Sequence, residues 1–214
     1  MQSLLRFPKS LLLLCALAAA CAPKVALPPP VVLPPPPPPP VPITTAELDT
    51  LGEILRLEDR REFDAQRFQI WARSPSALVR RHAALGSGRI GQKAAAPILI
   101  RLLADNDSAV RADASFALGE LGDTSFTVVQ ALITASRAGS GNDALESIIG
   151  LGRLAAPSGL DGILAILRDT MLDRAAHREA LLALARFPRS PAAFDAAARY
   201  ATVGGDVETR WRAV

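Results

Sequence analysis

One pattern recurs along this chain at a nearly constant interval, and it limits the fold more than any other feature of the sequence. It appears as LVRRHAALGSGRIG from Leu78, AVRADASFALGELG from Ala109, DALESIIGLGRLA from Asp143 and AHREALLALARF from Ala176. Val79 and Val110 are 31 residues apart, and Leu118 and Leu151 are 33 residues apart. Repeats of this length are typical of stacked supersecondary units, each of which needs its neighbours to bury its apolar face.

Two helical segments are predicted in each unit, and the second unit shows why. Asp107 or Ser108 can cap the first helix by accepting hydrogen bonds from backbone N–H groups that lack a partner within the helix. Gly122 is expected to end this helix, since glycine adopts the left-handed conformation most easily. The apolar residues between these ends recur at helical spacing and share one face: Val110, Ala114, Ala117, Leu118 and Leu121.

The second helices of the four units are predicted over about 93–104, 123–137, 158–168 and 191–201. Ser74 and Ser190 each stand before a proline, a combination that favours the start of a helix. Aromatic residues make up only 5% of the chain, so Ala, Leu, Ile and Val must supply the core. Isolated helices of this length are marginal in water. We therefore predict an all-α fold, an α-solenoid of stacked helical hairpins.

The stretches VRADASFALGELGD and VRRHAALGSGRIG resemble HEAT repeats, in particular the short HEAT-like repeats of phycobilisome lyases. The resemblance covers residues 74–214 and is strongest in the first two units. The family pairs an Asp with an Arg six residues later to form a polar ladder between units, and Asp105 with Arg111 matches this pattern. The equivalent pairs elsewhere are Ser74 with Arg80, Ala138 with Ala144, Met171 with His177, and Gly204 with Arg210. The resemblance therefore implies a ladder that is mostly broken.

A further helical hairpin is predicted ahead of the repeats, over residues 44–72, with the repeats themselves over 73–214. Thr45 precedes an apolar pattern, and residues 60–71 would form the second helix of this hairpin. The pattern consists of Leu48, Leu51, Ile54 and Leu55. Charged residues at the bend, over 58–62, suit a capping unit whose outer side faces water.

Residues 1–20 have the composition of a secretory signal peptide. Arg6 and Lys9 are followed by a short apolar run that ends in three alanines directly before Cys21. This arrangement resembles the lipobox of bacterial lipoproteins, whose cysteine becomes the acylated first residue, although Ala18 stands where leucine is usual. The resemblance implies lipidation at Cys21. The alternative is an ordinary signal peptide that is cut near Ala20.

Residues 21–43 are predicted to contain the acylated cysteine and a proline-rich spacer. Seven consecutive prolines from Pro34 to Pro40 favour an extended polyproline II chain. At about 3.1 Å per residue, some twenty residues would reach roughly 60 Å, which suits a stalk on a membrane surface. The alternative is a ligand for an aromatic groove of the SH3 type. Ala22 is not the Asp that retains some lipoproteins, so the resemblance favours the outer membrane of the cell envelope, facing the periplasm.

No catalytic, cofactor-binding or metal-binding constellation is evident. His82 and His177 have no second ligand at metal-binding spacing. A net charge of +3 is too small to indicate nucleic acid as a partner. Trp71 and Trp211 are interpreted as packing residues, with a partner-binding role as the alternative, since tryptophan is enriched at binding hot spots.

The chain ends in ETRWRAV, and Thr209–Val214 match the start of a fifth unit, so we expect a fragment of a longer protein. The predicted function is a membrane-anchored, non-catalytic scaffold that binds a protein or peptide on the concave face of its repeats. The alternative is the N-terminal part of a larger exported enzyme, such as a cyclophilin-type peptidyl-prolyl isomerase. A phycobilin lyase is disfavoured by the signal peptide and the spacer.

Overall fold

The computed structural model describes residues 42–139, 141–187 and 190–203, all within the unit Pro42–Val214. These residues form ten α-helices and no strand. In chain order they are α1 (Thr45–Arg60), α2 (Ala65–Trp71), α3 (Ala77–Ile90), α4 (Ala96–Leu102), α5 (Ser108–Leu121), α6 (Phe126–Ala138), α7 (Asn142–Leu154), α8 (Leu160–Arg168), α9 (Arg174–Leu184) and α10 (Pro191–Val203). Single 3₁₀ turns, Lys93–Ala95 and Pro157–Gly159, lead into α4 and α8.

The helices form two layers. The odd layer consists of α1, α3, α5, α7 and α9, and each of these helices packs closely against the next one in the layer. The even layer consists of α2, α4, α6, α8 and α10, whose members touch one another much less. This arrangement confirms the predicted all-α solenoid. The odd layer is therefore tightly packed, and the even layer leaves gaps between its helices.

The pairing of helices differs from the prediction, which grouped α5 with α6 in one unit. In the structure α5 packs against the preceding α4, α7 packs against α6, and α9 packs against α8. Each hairpin is therefore an even helix followed by an odd one. The repeat period could not reveal this, since the same interval results whichever of its two neighbours a helix pairs with.

Small residues allow the odd helices to approach closely. A Cβ atom at Gly88 would lie 2.7 Å from the Cα of Ala117, and one at Gly119 would lie 3.0 Å from the Cα of Gly150. One at Gly152 would lie 2.8 Å from the Cβ of Ala183. Gly88, Gly119 and Gly152, which lie inside the first three motifs, are thus helix contacts between successive repeats, spaced at the repeat interval.

Aliphatic side chains fill the space between the layers. Leu99, Leu118, Leu132, Ile148 and Ile163 come from five successive helices, α4 to α8, and are fully buried. Burial of one such side chain is worth roughly 1.5–3 kcal/mol relative to exposure. This core of leucine and isoleucine agrees with the low aromatic content of the sequence.

The ends of α5 are those that the sequence predicted. Asp107 accepts hydrogen bonds from the N–H groups of Ala109 (2.8 Å) and Val110 (3.1 Å). Gly122 follows the helix with φ = 66°, in the left-handed region that glycine favours. Its successor α6 begins at Phe126, slightly later than predicted.

Two other helix starts differ from the prediction. The cap residue of α3 is Ser76, two residues after the predicted Ser74, whose hydroxyl instead accepts a hydrogen bond from the Ser76 N–H. In α10 the predicted serine cap is present, because Ser190 Oγ accepts a hydrogen bond from the Ala193 N–H. Similarly, α1 runs through to Arg60, so the second helix of the segment 44–72 starts at Ala65 and not at residue 60.

None of the helices in the described ranges is both long and apolar enough to cross a membrane.

Candidate functional site

Arginine–aspartate pairs join successive repeats on the odd layer. Arg80 donates two hydrogen bonds to the Asp105 carboxylate, from Nε to Oδ2 and from Nη2 to Oδ1, both 2.8 Å long. Arg111 donates from Nε to Asp143 Oδ2 at 2.7 Å. Both pairs are largely shielded from water, which strengthens them relative to exposed ion pairs.

These pairs change the predicted ladder at its first two junctions, where the carboxylate is bound by an arginine of the preceding unit. Arg111 does bond to Asp105 of its own unit, but through the backbone carbonyl (2.8 Å) and not through the carboxylate. Its Nη1 also donates to the carbonyl of Asn106, and Arg80 bonds the carbonyls of Ser74 and Pro75 in the same way. Each arginine thus holds the turn before its own helix and a carboxylate of the next repeat.

The Asp105 carboxyl is stabilised in its charged form. Burial by itself would raise its pKa. The hydrogen bonds from Arg80 and from the Asp107 N–H lower it, and the charges of Arg80 and Arg111 lower it further, so that burial is outweighed. The pKa of Asp105 therefore lies below its ordinary value. This carboxylate has donors for both of its oxygens.

A cleft of about 600 Å³ lies where α4, α5, α6 and α7 meet, and we call it the ladder cleft. Its walls are mostly aliphatic and come from Ile100, Leu103, Ala104, Ala131, Ala135 and Ala138. Its polar side carries Arg111 and Asp143, together with the hydroxyls of Ser115 and Ser147, which lie 2.8 Å apart. The gap exists because the even-layer helices α4 and α6 barely touch and because the ladder position Ala138 carries only a methyl group.

Asp143 is the unusual residue of this cleft. Only 4% of it is exposed, and its Oδ2 is held by Arg111, but its Oδ1 is enclosed with no hydrogen-bond donor among the described residues. A buried acceptor without a donor costs about 1–3 kcal/mol, so such atoms are uncommon unless a ligand or water completes them. Sequence analysis missed this site, although a carboxylate at the position of Val79 and Val110 was visible in the aligned repeats.

The outward side of the odd layer, which we call the odd face, carries an apolar stripe. Equivalent positions of four repeats hold Leu85, Phe116, Ile149 and Leu182, all of them partly exposed. A largely acidic row lies on one side of the stripe and a largely basic row on the other. The first row consists of His82, Asp113, Glu146 and Glu179, and the second consists of Arg89, Glu120, Arg153 and Arg186.

Phe116 is the centre of this face. The guanidinium of Arg153 lies 4.4 Å from the centroid of the Phe116 ring, which is favourable because the ring face is electron-rich. Next to the ring is a depression of about 210 Å³, lined by Leu85, Arg89 and Glu146 among others. This depression is large enough for a single side chain.

Two polar atoms near Phe116 lack partners in the part of the chain that the structure describes. They are Oε2 of Glu146 and Nη1 of Arg153, both fully enclosed. Burial raises the pKa of the Glu146 carboxyl, and the charges of Asp113 and Glu179 raise it further, while Arg153 partly opposes them. The odd face therefore offers one acceptor and one donor whose hydrogen bonds are not made.

The tryptophans and the cysteine of the sequence analysis fall in different places. Trp71 is only 9% exposed and packs edge-on against Phe68 at 5.1 Å between ring centroids, so it belongs to the core and not to a binding surface. Cys21 and Trp211 lie outside the described residues, and the predictions for them remain predictions. No group of three metal-binding side chains occurs within the described ranges.

The fold defines the class of protein, an all-α solenoid of stacked helical hairpins. Residues 65–141 match the family model of HEAT repeats. The chain is also similar to a solved structure, the complex of CpcE and CpcF of phycocyanin lyase from Nostoc sp. PCC7120, with 20% identity and a TM-score of 0.55. That match covers 79% of this chain and 70% of the other, and at this identity it shows the fold alone. No curated protein matches the sequence significantly.

Proposed function

We propose that this protein is a non-catalytic scaffold, anchored by lipid in the bacterial cell envelope, that binds an extended segment of a protein partner on its odd face. The observation that carries this proposal is the apolar stripe, which recurs at the same position in four repeats from Leu85 to Leu182. Stacked repeats act through long continuous surfaces of this kind.

The chemistry near Phe116 favours an extended peptide as the occupant. Glu146 Oε2 has no donor and Arg153 Nη1 has no acceptor among the described residues, and because both atoms are enclosed these side chains must turn outward to meet a partner. The main chain of an extended peptide supplies both an N–H and a C=O at every residue other than proline. The depression next to Phe116 can hold one apolar side chain of the same peptide, and the charged rows on either side can fix its direction.

Site-specific photo-crosslinking in the native host tests the odd face. A photoreactive phenylalanine analogue replaces Leu182, which is 38% exposed on the odd layer, and in a matched control it replaces Phe126, which is 69% exposed on the even layer. We expect a discrete protein adduct from position 182 only, lost when Phe116→Ala is added. Equal adducts from both positions, or none from position 182, would contradict the proposal.

The anchor is tested separately. The proposal is supported by the cysteine after three small residues and by the proline-rich stretch that follows it. Mass spectrometry of the mature N-terminus should find an acylated Cys21, and Cys21→Ser should release the protein from the outer-membrane fraction. An unmodified cysteine or cleavage at another residue would exclude lipid anchoring and leave the binding proposal intact.

A further inference from the structure

We propose that the ladder cleft binds a small organic amine in its protonated form, with the ammonium group on Asp143 and an apolar body against the aliphatic wall. This site is separate from the odd face, and the inference does not depend on the proposed function. The volume of about 600 Å³ falls within the range of roughly 300–1,000 Å³ that is usual for small-molecule sites.

The acceptor that the ligand must satisfy is Asp143 Oδ1. Because Oδ2 is already bound to Arg111 at 2.7 Å, the carboxylate is fixed in orientation and its second oxygen stays enclosed with no donor in the described residues. Only 4% of Asp143 is exposed, and the residue lines the cleft. A ligand N–H therefore gains a charge-assisted hydrogen bond, a type about twice as strong as a neutral one.

The charge around the cleft favours a cation. The ionised side chains that line it are Asp105, Arg111 and Asp143, and since Arg80 pairs with Asp105 the side-chain charges balance, so the helix ends decide the sign. The C-terminal ends of α4 and α6 also reach the cleft, at Leu103 and Ala138, and the C-terminal end of a helix carries partial negative charge. The N-terminal end of α7 carries partial positive charge, and this charge is already compensated by the carboxylate of Asp143 in the first turn of the helix.

The rest of the cleft favours an apolar body. Ile100, Leu103, Ala131 and Ala135 leave an aliphatic wall opposite the carboxylate. The hydroxyls of Ser115 and Ser147 are occupied with each other and with carbonyls of their own helices, Arg111 and Asp143. They offer little to a strongly polar ligand, so a sugar or a nucleotide is a poor fit, whereas an aryl or alkyl amine suits both sides.

The probes are three compounds of similar shape: 2-phenylethylamine, 2-phenylethanol and phenylacetate. Binding to the full chain is measured by calorimetry, in lipid nanodiscs against empty nanodiscs if Cys21 is acylated, and in buffer against buffer alone if it is not. We expect the amine to bind, the alcohol to bind at least about tenfold more weakly, and phenylacetate not to bind. Binding of the alcohol as tight as that of the amine would overturn the assignment of a cation site.

Two variants place the amine in the cleft. Asp143→Asn should weaken amine binding at least tenfold, and circular dichroism checks that it folds. Ala135→Leu fills the cleft without changing the carboxylate and should also weaken binding at least tenfold, while the matched control Ala94→Leu, on the exposed 3₁₀ turn, should leave it unchanged. Unchanged binding in Ala135→Leu would overturn the proposal even if Asp143→Asn failed to fold. Neither variant should alter crosslinking at position 182.

Discussion

The junction between α3 and α5 and the junction between α5 and α7 are built from the same repeat but differ at the ladder. At the first junction Arg80 holds both oxygens of Asp105, a carboxylate that lies in the turn before its helix. At the second, the position equivalent to Asp105 is Ala138, the last residue of α6, and the carboxylate comes from Asp143, five residues later and inside α7. That shift leaves one oxygen without a donor in the described chain and opens the ladder cleft. In a repeat protein the place where one unit departs from the pattern is therefore where a ligand site can arise.

The largest effect is expected from breaking the first junction. Arg80→Ala leaves the Asp105 carboxylate, about nine-tenths buried, without its partner, and it also removes two bonds to the turn before α3. We expect a loss of about 3 kcal/mol in the free energy of unfolding, as for other buried pairs that lose one member. Urea denaturation measures it. The control is Arg56→Ala, an exposed pair with Glu53, which should cost less than about 1 kcal/mol. Similar losses in the two variants would contradict a stabilising role for the buried pair of Arg80 and Asp105.

The second effect concerns how closely the helices approach at the two junctions. Gly88→Ala places a methyl group 2.7 Å from the backbone of Ala117, so one helix must move, and we expect a loss of about 2 kcal/mol. Gly119→Ala meets Gly150 at 3.0 Å, and the gain of roughly 1 kcal/mol in helix propensity should nearly offset the strain. Thermal unfolding of both variants checks the order. An equal melting temperature would show that the two junctions are packed alike.

A smaller effect is expected from breaking the pair of Arg111 and Asp143 at the second junction. Asp143→Asn removes a carboxylate that has only one of its oxygens paired, so we expect a loss of about 1 kcal/mol in the free energy of unfolding. Asp105→Asn removes one with both oxygens paired and should cost more. Denaturation of the two variants under the same conditions gives the difference. If Asp143→Asn were the more costly change, Asp143 would be a structural residue as fully satisfied as Asp105.

The smallest effect concerns pH, on which the stability contributions of Asp105 in the ladder and Glu146 on the odd face depend in opposite directions. The pKa of Asp105 is lowered in the folded chain, so its contribution to stability is complete above its ordinary value of 3.8 and is lost as pH falls through the folded pKa. The pKa of Glu146 is raised, so its charged form is unfavourable at neutral pH, and stability increases as pH falls towards 4.5.

Glu146→Gln should therefore stabilise the chain at pH 7 by less than about 1 kcal/mol, because the side chain is partly exposed. It should also flatten the pH dependence of stability between neutral pH and 4.5. Denaturation across this range provides the measurement, with Glu53→Gln on the exposed side of α1 as control. Lower stability of Glu146→Gln at pH 7 would contradict the raised pKa.

Local features of the fold could be predicted from the sequence. The period gave the solenoid, and the ends of α5 followed from Asp107 and Gly122, because a helix cap depends only on residues next to it. The start of α3 was displaced by two residues, because Ser74 and Pro75 belong to the turn before the helix, where Arg80 donates to their carbonyls.

Contacts between repeats could not be predicted in the same way. The bond from Arg80 to Asp105 spans 25 residues and that from Arg111 to Asp143 spans 32, and a pattern within one unit does not record such pairs. The resemblance to HEAT repeats implied an Asp–Arg pair inside a unit, whereas the carboxylates are bound from the preceding unit. Trp71 was a candidate for partner binding because of its residue type, and its burial depends on the packing of α2 on α3.

The double role of Arg80 and Arg111 has a consequence for unfolding. A single guanidinium donates to the turn before its own helix and to the carboxylate of the unit that follows. Opening one unit therefore breaks hydrogen bonds that stabilise two units. Melting should then spread across this part of the array as one cooperative step. Hydrogen exchange of α3, α5 and α7 would occur with a common opening free energy, without the gradual fraying that a chain of independent units would show.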